Sequence, residues 1–317
     1  MKSIVFVAKG VTEILDEPKP VCGNDEILLK TIYSGMTNGT ERNLLMGGSY
    51  GGTWPIKRTY QTVSEVIECG AKISQYKKGD IVFSGLETGH VEYHTAKEGD
   101  LIANLPDGFD LIAGALMGVA SVPLHVCRRA DIRVDDNVLI MGAGPIGSFA
   151  AQAANLMGAT VTVANRSQNK LDYVRSLNPT FHTVCLKNDS DVKRMWDNRP
   201  YSVVIECTGA DNLDDIIGTA WGGGSGLVGY HARLVLVAGR YNVHYTYNSA
   251  QCDEISVIHT SHFNLNDLHQ MIRFVSEGKI QIRPFIQQIV KVDDAVPVYN
   301  TLRDDPGSLR GTVFDWT

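Results

Sequence analysis

Gly142, Gly144 and Gly147 follow the apolar run Val138–Met141 at Gly-x-Gly-x-x-Gly spacing, which suits the capture of a phosphate. Each glycine has its own task. Gly142 permits a tight turn, Gly144 leaves no side chain to obstruct a pyrophosphate, and Gly147 lets the next helix pack closely on the strand. Pro145 and Ile146 open that helix, whose unpaired N–H groups and positive dipole end attract anions. The triplet is a weak signal by itself. Here an alanine-rich helical pattern, 148–157, and a second apolar run, Thr160–Ala164, come after it. Strand, glycine turn, helix and strand in this order form the context that a dinucleotide site requires.

The residue that ends the second strand selects between cofactors. An NAD site usually carries Asp or Glu there, accepting from the ribose 2′-hydroxyl. This chain has Asn165, then Arg166, Ser167 and Lys170. A carboxylate repels a 2′-phosphate, whereas a neutral amide followed by a guanidinium fork can bind one. The residues therefore predict NADP(H).

Other chemistry-bearing residues are scattered. Cys22, Cys69, Cys127, Cys185, Cys207 and Cys252 form no C-x-x-C pair, which argues against a zinc ribbon or a disulfide framework. His90, His94, His125, His259 and His262 stand singly and read as packed rather than catalytic. Arg240 follows the apolar run Ala232–Val237. Ligands gather at the carboxyl ends of strands in open α/β sheets, so Arg240 is a candidate contact for the cofactor or a substrate anion.

The elements that must position these residues fall into two kinds. Short β-prone runs, Ile4–Ala8, Glu26–Tyr33, Thr62–Cys69 and Asp80–Phe83, fill the first third, and a helical pattern covers 114–128. From Asp136, strands at Val138–Met141, Thr160–Ala164, Ser202–Glu206, Ala232–Val237 and Glu254–Thr260 alternate with helices at 148–157, 168–176 and 211–220. Alternation of this kind implies a doubly wound parallel sheet. A helix at 268–277, a β-prone stretch 285–292, a helix at 293–302 and a final strand, Thr312–Trp316, follow. The glycine-rich segment 221–231 reads as a flexible surface insert, with a mobile flap over the cofactor as the alternative.

A chain of 317 residues that is 44% hydrophobic suits two packed domains. Its net charge of −6, with no basic stripe, argues against nucleic acid and anionic membrane as partners. No stretch is apolar enough to span a bilayer. The first ten residues read as a strand rather than a signal peptide, and a cytoplasmic enzyme with reduced thiols is the simplest class.

The order of motifs resembles the medium-chain dehydrogenase/reductase family nearly end to end. The resemblance rests on Tyr33-Ser34-Gly35, Val66–Gly70, Lys78–Val82, Gly89–Tyr93, the 142–147 turn, Val204–Gly209, Leu234–Gly239, Gly278–Ile280 and Phe314–Trp316. It implies a Rossmann dinucleotide domain, 118–265, inserted into a β-rich GroES-like catalytic domain made of 1–117 and 266–317. It also implies that Thr208, Gly209 and Gly239 border the cofactor, and that the protein is a homodimer acting on a small carbonyl or alcohol substrate.

The family's zinc chemistry does not carry over. Where zinc-dependent members place ligands, this chain has Thr37, Tyr60 and Val119, and Gln61 replaces the acid after the second ligand. A catalytic zinc needs about three protein ligands of Cys, His or carboxylate type, so no metal is expected. Thr37 and Tyr60 would then face the nicotinamide pocket, with Tyr60 as proton donor and Thr37 as a hydrogen-bonding group. Filling of the vacated metal site is the alternative for both. Glu41 and Arg42 suit a helix-capping acid and a surface base, or contacts to a polar substrate. The leading expectation is a zinc-independent NADP(H)-dependent ketone/secondary-alcohol oxidoreductase. The alternatives are an enone or quinone reductase, and a non-catalytic NADPH-binding redox sensor.

Overall fold

The computed structural model describes residues 1–317. In chain order the elements begin with β1 (Lys2–Ala8), β2 (Val11–Asp16), β3 (Ile27–Gly35), α1 (Asn38–Leu45), β4 (Thr62–Cys69), β5 (Ile81–Ser84), β6 (Tyr93–Ala96), β7 (Ile102–Asn104), α2 (Leu111–Gly114) and α3 (Met117–Arg129). The alternating part follows: β8 (Asn137–Met141), α4 (Pro145–Leu156), β9 (Thr160–Asn165), α5 (Gln168–Leu177), β10 (His182–Cys185), α6 (Asp189–Asp197), β11 (Tyr201–Glu206), α7 (Leu213–Ile217), β12 (Val228–Leu236), α8 (Tyr247–Cys252) and β13 (Ser256–His259). The chain closes with α9 (Leu265–Ser276), β14 (Gln288–Lys291), α10 (Ala295–Asp304) and β15 (Thr312–Asp315). It divides into two compact units, one of Met1–Val119 with Asn264–Thr317, the other of Ala120–Phe263.

The unit Ala120–Phe263 holds a six-stranded sheet in the order β10-β9-β8-β11-β12-β13. Every neighbouring pair in it is parallel. Val138 to Met141 are all buried, as an unbroken apolar strand must be when helices cover both faces of its sheet. Gly144 caps α4 and Pro145 takes its first position, where a missing N–H and a fixed φ cost the helix nothing. Ala150, Ala151, Ala153 and Ala154 bury one flank of α4 without bulk.

The sequence patterns miss β10 and α6 and overextend α7. The helix expected over 211–220 stops at Ile217, because Gly218 adopts φ +95° and ends it. The strand expected from Ala232 begins at Val228. The glycine-rich segment 221–231 leads into the amino end of β12, while the 142–147 turn leaves the carboxyl end of the parallel β8. The segment therefore does not cover the phosphate-binding end of the sheet. It is pinned where Gly224 N–H donates to Asp253 at 3.0 Å and Arg199 donates to the carbonyls of Gly224 and Gly226.

The other unit carries a sheet in the order β14-β15-β3-β4-β5-β7, with β6 paired to β3 and β1–β2 as a separate hairpin. One core cluster joins Ile4, Phe6, Leu45, Tyr299, Leu302, Phe314 and Trp316. The amino-terminal hairpin, α1, α10 and the last strand thus share a single apolar interior.

Candidate active site

The turn after β8 is shaped by its glycines. Gly142 has φ +108°, and a Cβ on Gly147 would stand 1.9 Å from the Gly142 carbonyl oxygen. Neither position admits another residue without movement of the backbone. A Cβ on Gly144 would meet nothing within 4 Å, so that face of the turn is open to a phosphate. These residues fit the dinucleotide that the sequence implies. The Asn165 carboxamide ties this turn to the loop after β9, accepting weakly from Ala143 N–H at 3.4 Å and donating to the Ser167 carbonyl at 3.3 Å.

Beside that loop lies a cavity of about 520 Å³ lined by Arg166, Ser167, Gln168, Asn169, Cys185 and Lys187. It contains two cations and no carboxylate. Lys170, on α5, is not among its lining residues. Lys187 was not expected; its only sequence signal is a base just past the carboxyl end of β10.

At the carboxyl ends of β11 and β12 the cofactor candidates Thr208, Gly209 and Arg240 meet around one buried acid. Glu206 accepts from the backbone N–H groups of Thr208 at 2.7 Å and Gly209 at 3.1 Å, and from the Thr208 hydroxyl. The Arg240 guanidinium pairs with the same carboxylate and donates to the Ala238 carbonyl at 3.3 Å. Arg240 thus braces the loop on which Gly239 lies.

The second group of candidates sits in the other unit. Tyr60 is 7% exposed, and a Cβ on Gly118 would stand 3.0 Å from its ring. Burial first, then the nearby Glu41 charge, pushes the Tyr60 phenol well above its ordinary range. The phenol therefore stays protonated. Gln61 is fully buried; its Oε1 accepts from Val119 N–H at 2.8 Å and its Nε2 has no partner.

Glu41 is the hub of this region and is neither a surface cap nor a surface ligand. It is wholly buried. Its carboxylate accepts from the Thr37 backbone N–H at 2.7 Å, the Thr37 hydroxyl at 2.9 Å and the Tyr299 hydroxyl at 2.5 Å. His90 Nε2 lies 3.3 Å from both oxygens. His90 Nδ1 is 2.7 Å from Ser34 Oγ, which accepts from Trp316 Nε1 at 2.8 Å. Phe314 packs edge-on against His90 and stacks on Tyr299, which excludes water. Burial, then Glu41, raises the Tyr299 phenol far above its ordinary range. Arg42 points elsewhere, donating to the Leu302 and Arg303 carbonyls at the end of α10.

The structure thus joins Thr37 with Glu41 and adds Ser34, His90, Tyr299 and Trp316, which sequence reasoning did not select. No local pattern marks them, because Glu41 and Tyr299 are 258 positions apart. The donors at the family's zinc positions are a hydroxyl, a phenol and, at Val119, none. No three His, Cys, Asp or Glu side chains converge in a group that could hold a metal ion. Of the other histidines, His262 stacks on Phe263 and His94 is buried with neither ring nitrogen partnered, whereas His259, expected to be packed, is exposed at the end of β13. All six cysteines are free thiols, and no helix is long and apolar enough to cross a membrane.

Comparison with known proteins gives a consistent picture. The family model for zinc-binding dehydrogenases matches residues 145–277, a span that contains none of Thr37, Tyr60 and Val119. The chain is 27% identical over 235 residues to sorbitol dehydrogenase 1 of Saccharomyces cerevisiae, covering 71% of this chain and 63% of that protein. The match thus spans a little under two thirds of the yeast enzyme. With (R,R)-butanediol dehydrogenase of Neisseria gonorrhoeae it shares 25% identity over 348 residues, covering 93% and 94% of the two chains. An Escherichia coli oxidoreductase/dehydrogenase of unknown specificity has the same fold, with a TM-score of 0.87 at 18% identity over 100% and 99% of the chains.

Proposed function

Because the chain belongs to the medium-chain dehydrogenase/reductase family, we propose that it is a zinc-independent, NADP(H)-dependent oxidoreductase acting on a small ketone/secondary-alcohol pair. The relatives named for sorbitol and butanediol point to polyols and their ketones. The observation that carries the cofactor reading is the cavity after β9, with Arg166 and Lys187 in its wall and no acid. A 2′-phosphate has two cations to neutralise it there, and an Asn165 amide beside it.

The bound nicotinamide would supply or accept the hydride. The chain's own residues do the rest. The glycine turn and the amino end of α4 hold the pyrophosphate. Tyr60 donates a hydrogen bond to the substrate oxygen as negative charge grows there, the service that a metal performs elsewhere. Thr37 and Glu41 complete the polar side of the site.

Fluorescence titration with NADPH and NADH tests the cofactor reading. NADPH binds more tightly, and Arg166→Ala weakens NADPH alone by about 1.5–3 kcal/mol, the range of a hydrogen bond to a charged group. Equal affinities of the unaltered protein for both cofactors overturn it. Turnover of sorbitol, xylitol or 2,3-butanediol with NADP⁺, against none with enones or quinones, tests the reaction class.

A further inference from the structure

We propose that Glu41 is the buried proton acceptor of this site, reached through the Thr37 hydroxyl, and that Tyr299, His90 and Ser34 are positioning residues that hold it for that task. The inference rests on the reading of the protein as an alcohol/ketone oxidoreductase in which Thr37 faces the substrate.

The hydrogen-bond inventory fixes the direction of every link. A carboxylate only accepts, and it has about four lone-pair sites. Glu41 receives donors from Thr37 N, Thr37 Oγ1, Tyr299 and His90 Nε2. His90 must carry its proton on Nε2 to be one of them. Nδ1 of a neutral ring then accepts, so Ser34 supplies its hydroxyl proton to Nδ1 while accepting from Trp316. With Glu41 as the carboxylate and His90 neutral, every donor in the chain finds an acceptor. An imidazolium would present two donors to Ser34 and Glu41 and leave the Ser34 proton without its acceptor.

The Thr37 proton points at Glu41, so the lone pairs of Thr37 Oγ1 remain for a substrate hydroxyl. During alcohol oxidation the carbinol C–H bond breaks and its electron pair leaves as hydride to the oxidised nicotinamide. The substrate O–H bond breaks, its proton passes to Thr37 Oγ1, and the Thr37 proton passes to Glu41 Oε1. The products are ketone, reduced nicotinamide and a protonated Glu41, which returns its proton through Thr37 Oγ1 to the water that replaces the departed product; reduction runs the same path backwards. The ionisable groups facing Glu41 are His90, Tyr299 and, at longer range, Tyr60. None of them adds a permanent positive charge. The Tyr299 phenol, the Thr37 hydroxyl and amide N–H, and His90 Nε2–H stabilise the carboxylate by hydrogen bonding instead, in an apolar sleeve where such bonds are strong.

Two measurements test this. Nitrogen NMR of histidine-labelled protein, with the His90 signal assigned through His90→Gln, reads the network without any turnover. The expected result is a neutral ring protonated at Nε2 near neutral pH; a doubly protonated His90 overturns the proposal. Oxidation of 2,3-butanediol with NADP⁺ across pH reads the relay. Thr37→Val, which keeps shape and fold, lowers kcat roughly 10²-fold with NADPH affinity unchanged, while Thr37→Ser restores it. Tyr299→Phe removes one donor from Glu41 and moves the acid limb of kcat to higher pH. Full kcat in Thr37→Val, or an unmoved limb in Tyr299→Phe, overturns the relay and leaves the oxidoreductase reading standing. A protein that turns over no alcohol or ketone at all overturns both.

Discussion

In the unit Ala120–Phe263 the candidate site is drawn from short stretches at strand ends, 142–147, 165–169, 185–187, 206–209 and 238–240, and much of its chemistry belongs to backbone N–H groups. In the other unit Glu41 collects partners from positions 37, 90 and 299, with Ser34 and Trp316 behind His90. The difference teaches where a site can be read from residues in order. A phosphate cradle needs a turn of fixed shape, and glycine spacing writes that shape locally. A carboxylate buried among side chains needs the chain to return several times, and nothing local records which residues return.

The same contrast explains what the sequence made legible. The strands at 138–141, 160–164 and 202–206 were visible because a strand buried on both faces carries a β-branched apolar run, here Val138–Ile140, Val161 with Val163, and Val203–Ile205. β10 was missed because His-Thr-Val-Cys is short and half polar at the edge of its sheet. Thr37, Glu41 and Tyr60 were selected by position, but the burial of Glu41 was not, because an acid at the start of a helix normally lies in water. Tyr299 lies within a helix whose heptad-like pattern reads only as packing, and its hydroxyl bond to Glu41 has no sequence signature.

Removing the hub is the most severe way to break the comparison. Glu41→Ala leaves Tyr299, His90 and two Thr37 donors unsatisfied, and each buried orphan costs about 1–3 kcal/mol. The expected loss is at least about 4 kcal/mol, read as a lower urea midpoint for the unit that contains it. A midpoint unchanged from the parent would show that the network is ornamental.

His94 offers a second test of the same unit, driven by pH. Burial alone depresses its pKa from 6.5 to about 4, and no partner relieves the cost of charging it. The unfolded chain therefore binds a proton between pH 6.5 and 4 that the folded one refuses. Stability is fully present above 6.5 and falls by about 3 kcal/mol as pH drops to 4. His94→Leu should flatten that slope; an equally steep slope in the variant would assign the acid sensitivity to other groups.

One pair of substitutions separates the two units by function. Gly147→Ala drives a Cβ into the Gly142 carbonyl and should weaken NADPH by about 1–3 kcal/mol, the usual cost of overpacking. Tyr60→Phe removes one hydroxyl and should lower kcat roughly 10²-fold while NADPH affinity holds. If Tyr60→Phe changed cofactor affinity instead, the assignment of binding to one unit and polarisation to the other would fail.

The smallest expected effect is the sharpest for the family comparison. The matched family is described as zinc-binding, yet the match covers 145–277 and leaves Thr37, Tyr60 and Val119 outside it. Zinc in proteins is held by thiolate, imidazole or carboxylate. The one acid and one imidazole near Thr37 are Glu41 and His90, and both are already engaged with each other and with Tyr299, Ser34 and Thr37. Drawing Glu41 to a metal would release four donors into a dry interior, which costs more than a two-ligand site returns. Prolonged dialysis against a strong chelator should therefore leave kcat within error of the untreated protein, and elemental analysis should find no stoichiometric zinc. One zinc per chain, with activity lost on chelation and regained on zinc alone, would move the polarising role from Tyr60 to the metal and require a rearranged Glu41–His90 pair as its ligands.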